Sequence, residues 1–283
     1  MKKLIVVLAL FQIVNLYAQD ISYVVVEDNP GANPNTFVNL EWFGMDGSRK
    51  SNSGFFVGVD GNYQIANKLG VEGNLRVKYL NFDKPDSGPL LNFEIGANYK
   101  IASFEKKKMI KIITSSSFFD KYNSNGSTTR TTTEKYFETE GLVQKEFFLR
   151  GGTTYRRNSS ELFAPFQFNS IQGTFSSLAI YSGINFQINK RINTDVTDGS
   201  EEYTAGNGLL FNLYADFLFS PLVNTPKVLA ESPSRVGYRV GLQWYNTFPK
   251  GLFSKMMIFI EISNRPVENT VLTMGAGYSL FRK

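Results

Sequence analysis

Few residues in this chain have the types and spacing that chemistry needs. Glu138 and Glu140 lie two apart, so on a strand they share a face. Carboxylates about 5–10 Å apart are the working pair of glycoside hydrolases. Nothing else in the sequence builds a sugar cleft around these two, and a polar strand face is the simpler reading. Asp195, Asp198, Glu201 and Glu202 crowd one connection. Their spacing misses the D-x-[DN]-x-[DN]-G pattern of a calcium loop, so a polar segment is expected there. Gly275-Ala276-Gly277 is a lone Gly-x-Gly with no following helix to complete a dinucleotide site.

What is missing excludes more. The sequence has no histidine and no cysteine. That rules out Ser-His-Asp and Cys-His catalysis, imidazole acid–base work, thiolate ligands, disulfides and lipoprotein acylation. Nearly all transition-metal sites go too. A non-enzymatic role is expected, with no cofactor and no metal. The net charge of +5 is spread along the chain. No basic patch marks a nucleic-acid partner.

The N-terminus assigns a compartment. Lys2 and Lys3 precede an apolar run from Leu4 to Val14, broken only by Gln12. With Ala18 before Gln19, this is the layout of a cleaved secretory signal peptide over residues 1–18. The run falls short of the roughly 20 apolar residues a membrane-spanning helix needs, and no later run comes closer.

Everything after it reads as strand. Leu69, Val71, Leu75, Val77 and Tyr79 alternate with Glu72, Asn74, Arg76 and Lys78. Leu91, Phe93, Ile95, Ala97, Tyr99 and Ile101 alternate with Asn92, Glu94, Asn98 and Lys100. The same period of two runs through 55–65, 178–188, 209–219, 236–244, 256–262 and 272–280. Weaker segments at 35–45, 109–119, 135–144 and 146–157 bring the count to about twelve, within the range of transmembrane barrels. Tight connections are expected at 66–68, 105–108, 144–145 and 248–251, and longer outward loops at 81–89, 120–134, 158–172 and 220–234. The polar stretch 190–206 is too long for the tight side and is the weakest point of this layout.

The fold class that follows is all-β: a single antiparallel transmembrane β-barrel over 35–283, both termini periplasmic. Residues 19–34 form an N-terminal periplasmic segment, in which Tyr23 to Val26 is either a short extra strand or a contact for a partner. Apolar faces then meet outer-membrane lipid, and charged faces line the lumen. The lumen-lining candidates are Glu72, Arg76, Lys78, Glu94, Lys100, Arg239 and Glu261. Centring one loop at Pro85 sets Arg76 opposite Glu94 and Lys78 opposite Asn92. Centring another at Lys250 sets Arg239 opposite Glu261.

The final strand carries Tyr278, Leu280 and Phe281. It resembles the C-terminal aromatic strand that the barrel-assembly machinery recognises. A signal peptide ending in Ala-Gln, Asn-rich loops and abundant Phe and Tyr resemble outer-membrane β-barrel proteins of the Bacteroidetes type. That resemblance implies the bacterial outer membrane as location, and it carries no functional residues. Barrel phospholipases, deacylases and omptin-like proteases rely on histidine, so the chain departs from all three. Two roles are expected to compete: a small-solute, porin-like channel, and an accessory barrel that binds other envelope proteins in a secretion or assembly complex.

Overall fold

Alternating sequence becomes strand throughout. The computed structural model describes residues 21–32, 36–48, 53–81, 91–123, 126–163, 170–225, 234–246, 255–265 and 269–282. The signal-peptide segment and the loop centres at Pro85 and Lys250 lie outside them. Eleven strands run through the described residues: β1 (Ile21–Asp28), β2 (Phe37–Ser48), β3 (Gly54–Ala66), β4 (Leu69–Asn81), β5 (Leu91–Tyr122), β6 (Thr128–Phe163), β7 (Ser170–Asp198), β8 (Glu201–Asn224), β9 (Val236–Asn246), β10 (Met256–Arg265) and β11 (Asn269–Arg282). A 3-10 turn at Pro30–Ala32 follows β1, and no α-helix occurs among these residues.

Strands β2 to β11 each pair antiparallel with their sequence neighbours, and β11 pairs back onto β2. Ten strands thus close into a barrel that has no open edge over its wall. The even number brings the start of β2 and the end of β11 to one end, called the terminal end below.

Ten rather than about twelve is the first departure from the sequence reading. Segments 109–119 and 135–144 are continuations of β5 and β6, not strands of their own. Neither 105–108 nor 144–145 is a turn, because no Gly, Pro or Asn occurs there to bend the chain. A one-residue bulge at Lys100/Ala102 keeps β5 in register with β6 as the pair leaves the barrel. The 120–134 segment is therefore the tip of a long hairpin at the terminal end, not an outward loop. Asn123 N–H donates to the Ser127 carbonyl there at 2.9 Å. At about 3.3 Å per residue, the stretch from Ile101 to Tyr122 reaches up to about 70 Å.

The long 190–206 connection resolves in the same way. β7 runs on to Asp198 and β8 starts at Glu201, leaving a two-residue turn in which Gly199 takes a left-handed φ of 65°. β1 is the extra strand at Tyr23 to Val26. It pairs with β7 from Ile21↔Asp198 to Asp28↔Ile192, on the edge that β6 gives up beyond Val143↔Lys190. Tyr23 stacks on Phe137 of β6 at 4.2 Å, and the Leu142 N–H donates to Asp28 Oδ1 at 2.8 Å. Ile110, Ile112, Val143, Ile192, Val196 and Ala205 form a core of their own beneath the barrel. The extension is thus a packed unit continuous with the wall.

The barrel proper is inverted relative to a soluble sandwich. Its exposed outer wall carries residues such as Val57, Leu75, Phe93, Ile95, Ile180, Phe217 and Ile260. Its interior buries Glu41, Asp46, Glu94, Asp216, Arg239 and Glu261. Large interior rings lie against glycines of neighbouring strands. Tyr214 covers Gly241, and Tyr181 covers Gly96 and Gly152, where any Cβ would collide with the ring.

Candidate functional site

Strand parity decides which side chains meet inside. All seven sequence-derived candidates sit on the inward faces of β4, β5, β9 and β10, and each belongs to an ion pair or hydrogen bond. Their expected pairings are shifted. The β4–β5 register sets Arg76 opposite Asn92, and Asn74 opposite Glu94. The β9–β10 register sets Arg239 opposite Ser263, with Val240 opposite Ile262. Both differ from expectation by two residues along the strand. An even shift moves partners but keeps every side chain on its face, so the inward assignment survives.

The longest-reaching partners come from across the barrel. Arg239 of β9 reaches Glu94 of β5, four strands away in the ring of ten. Its Nη1 donates to Glu94 Oε2 and its Nη2 to Oε1 at 2.7 Å, while Nε donates to Asp216 Oδ2 of β8 at 2.5 Å. Arg150 of β6 donates from Nη2 to Glu72 Oε1 of β4 at 2.7 Å and lies 3.3 Å from Glu94. Tyr181 and Tyr214 flank the two guanidiniums. Arg150 sits 4.4 Å from the Tyr214 ring centre and Arg239 4.5 Å from that of Tyr181. The Tyr181 hydroxyl donates to Glu72 Oε1 at 2.9 Å, and the Tyr214 hydroxyl to Glu261 Oε2 at 2.7 Å. Arg265 completes the set on Glu261 at 2.6 Å.

Two further braces flank this centre. Arg76 of β4 binds both carboxylate oxygens of Glu41 on β2 at 2.7 Å and faces the Phe259 ring of β10 at 4.4 Å. Toward the far end, Asp46 of β2 gathers Arg156 of β6 at 2.5 Å, Lys78 at 3.2 Å and Thr273 at 3.0 Å. Lys100 pairs with Glu146 at 2.6 Å, where the wall passes into the extension.

Partners of opposite charge in a confined interior hold each other, because a lone buried charge is costly. Bidentate guanidinium–carboxylate pairs also fix direction. Chemically, the arrangement ties opposite walls together. Glu138 and Glu140 stand on the exposed face of the β6 extension, with Lys107 3.9 Å from Glu140 and no cleft around them. Asp198 pairs with Lys135 at 3.6 Å, Asp195 accepts from Thr204 at 3.2 Å, and no metal-holding group of side chains occurs among the described residues.

Glu41, Asp46, Glu146, Arg150, Arg156, Asp216 and Arg265 are charged partners that are not among the seven candidates. Arg150 and Arg156 share parity with Phe148 on β6, and Asp216 with Asn212 on β8, so the period of two was a usable signal for them. No signal pointed to Asp46, because a bulge between Glu41 and Gly44 reverses the parity of β2 midway and leaves Trp42 and Phe43 both outside.

Outside the wall, Arg130 grips Asp120 at the hairpin tip at 2.7 and 2.8 Å, holding that carboxyl below its ordinary value. Glu134 accepts a hydrogen bond from Lys111 at 2.7 Å and raises the ammonium above its own. No protein-family model matches the sequence, and no curated protein is significantly similar to it.

Proposed function

We propose that this chain is an exported outer-membrane barrel serving as an accessory or structural subunit, with its terminal-end extension as the docking element. The observation that carries this reading is the Arg239–Glu94 brace between nearly opposite walls. A wide solute path has to break it, together with the Arg156–Asp46 brace above. The porin-like alternative keeps only the narrow routes around these braces.

Placement in the membrane rests on the wall. A belt of exposed Val, Leu, Ile and Phe around a polar interior suits lipid and is rare on a soluble monomer. The terminal end then faces the periplasm, and the extension projects into it. Phe118, Phe119 and Tyr122 near the hairpin tip, with Val24 and Val26 on β1, are exposed there. Such residues are the material of protein interfaces.

Purification from native membranes in mild detergent, followed by mass spectrometry of co-purifying proteins, tests the reading. One envelope protein is expected in fixed ratio, and it is lost when residues 109–138 are deleted. A clean monomer under the same conditions sinks the proposal. Planar-bilayer recording is expected to give no discrete steps. Regular conductance steps from the intact protein restore the channel.

A further inference from the structure

Below the braces, on the terminal-end side, the barrel interior keeps an open-mouthed cavity of about 90 Å³. Asp60 and the brace residues Glu72, Glu94, Arg150, Arg239 and Glu261 form part of its lining, each already held by a protein partner. Amides reach it from β4, β7, β8 and β9, among them Asn74, Asn185, Gln187, Asn212 and Gln243. Next to them on the same faces of β8 and β9, toward the terminal end, Leu210 and Tyr245 join Phe37 in an apolar patch, and the Phe37 and Tyr245 rings are 5.2 Å apart. Gln187 and Asn212 are both more than nine-tenths buried. Gln187 Nε2 and the Oδ1 atoms of Asn74, Asn185 and Asn212 have no hydrogen-bond partner within the protein. Folding alone gives these atoms no return for leaving water, since an unmet buried polar group costs about 1–3 kcal/mol.

The unmet set contains a donor and acceptors together. A metal cation satisfies the oxygens but leaves Gln187 Nε2 unmet. An anion does the reverse. A hydroxyl both donates and accepts, so it meets either side of a planar amide whichever way the amide is turned. We infer that this cavity binds one edge of a neutral polyhydroxylated ligand, a free monosaccharide or the terminal unit of a glycan. Its hydroxyls engage the amides, and its C–H face lies against Phe37 and Tyr245. The volume corresponds to about three waters, which suits a sugar edge entering from the open side. The inference stands apart from the docking proposal, because it involves only residues inside the wall.

The test uses the full-length protein in a detergent without a sugar headgroup. Glucose, galactose, mannose and N-acetylglucosamine are titrated by calorimetry, with sodium, calcium and chloride salts as controls. Saturable binding of at least one sugar is expected. Gln187→Met and Asn212→Leu should each weaken it about three- to tenfold, the worth of one or two hydrogen bonds. Gln187→Met should not lower the unfolding midpoint, since its unmet Nε2 has no protein partner, whereas Asn212→Leu also loses the Nδ2 hydrogen bond to Gln243 and serves for binding alone; a purely structural role of Gln187 predicts a lowered midpoint. Asn185→Leu serves if either variant does not fold. The inference is overturned if the wild-type protein binds no sugar, if binding survives all folded variants unchanged, or if only the salts bind.

Discussion

Arg239→Met is the substitution whose effect can be worked furthest from the geometry. Methionine keeps much of the bulk but removes the guanidinium that joins Glu94 to Asp216. Glu94 is then left with Arg150 at 3.3 Å, and Asp216 with the same Arg150 at 3.6 Å. One guanidinium already committed to Glu72 cannot satisfy three carboxylates. Removing one partner of a buried pair costs about 3–5 kcal/mol, and the lost stacking on Tyr181 adds roughly 0.5–2 kcal/mol. Arg150 offsets part of this, so a net loss of about 3 kcal/mol is expected. Denaturant unfolding in micelles, followed by the fluorescence of the wall residues Trp42 and Trp244, measures it. The double variant Glu94→Gln/Arg239→Met removes one orphaned charge and should lose at least 1 kcal/mol less than the sum of the singles, the signature of direct coupling. A single-variant loss under about 1 kcal/mol with additive behaviour refutes the reasoning, since it means water screens the pair as on an exposed surface.

The extension and its tip give two more. Ile192→Ala, at a fully buried position of the lower core, should cost about 2–5 kcal/mol and open residues 105–140 to protease, while the heat-dependent gel shift of the closed barrel persists. Loss of that shift as well contradicts an extension packed as its own unit. At the tip, Arg130 depresses the Asp120 carboxyl, so the pairing contributes fully above the ordinary value of 3.8 and is lost as the pH falls through the lower folded value. Amide exchange around 119–131 should quicken only in that acid window, and Arg130→Gln should return Asp120 to its ordinary titration.

The face of nearly every barrel strand was legible in the sequence, while its exact partner was not. Alternation needs only a period of two, and it placed Arg76, Glu94 and Arg239 inside without any knowledge of the turns. Register depends on turn geometry, which residue spacing does not encode, and both hairpin pairings came out two residues away. The strand count failed at Glu105–Lys108 for a related reason. A charge cluster imitates a turn when neighbouring strands are unknown, whereas the structure carries it straight through as a ladder facing β6. The cross-barrel braces could not be derived at all. Arg239–Glu94 and Arg156–Asp46 join strands four apart in the ring, and such contacts exist only once closure has fixed the circumference.

The position of β1 carries a consequence for the order of assembly. This strand comes first among the described residues, yet its one ladder among them is to the last residues of β7, from Ile192 to Asp198. It is therefore made well before its partner and docks late, after more than 160 further residues have followed it. Until then the run Tyr23-Val24-Val25-Val26 has no partner, and an unpaired apolar stretch of high strand propensity attracts other chains. Glu27 and Asp28 close that run with two negative charges, the kind of flank that slows such association. Asp28 later gives up its guarding position to accept the Leu142 N–H, so one residue serves the unfolded chain and then locks the finished seam.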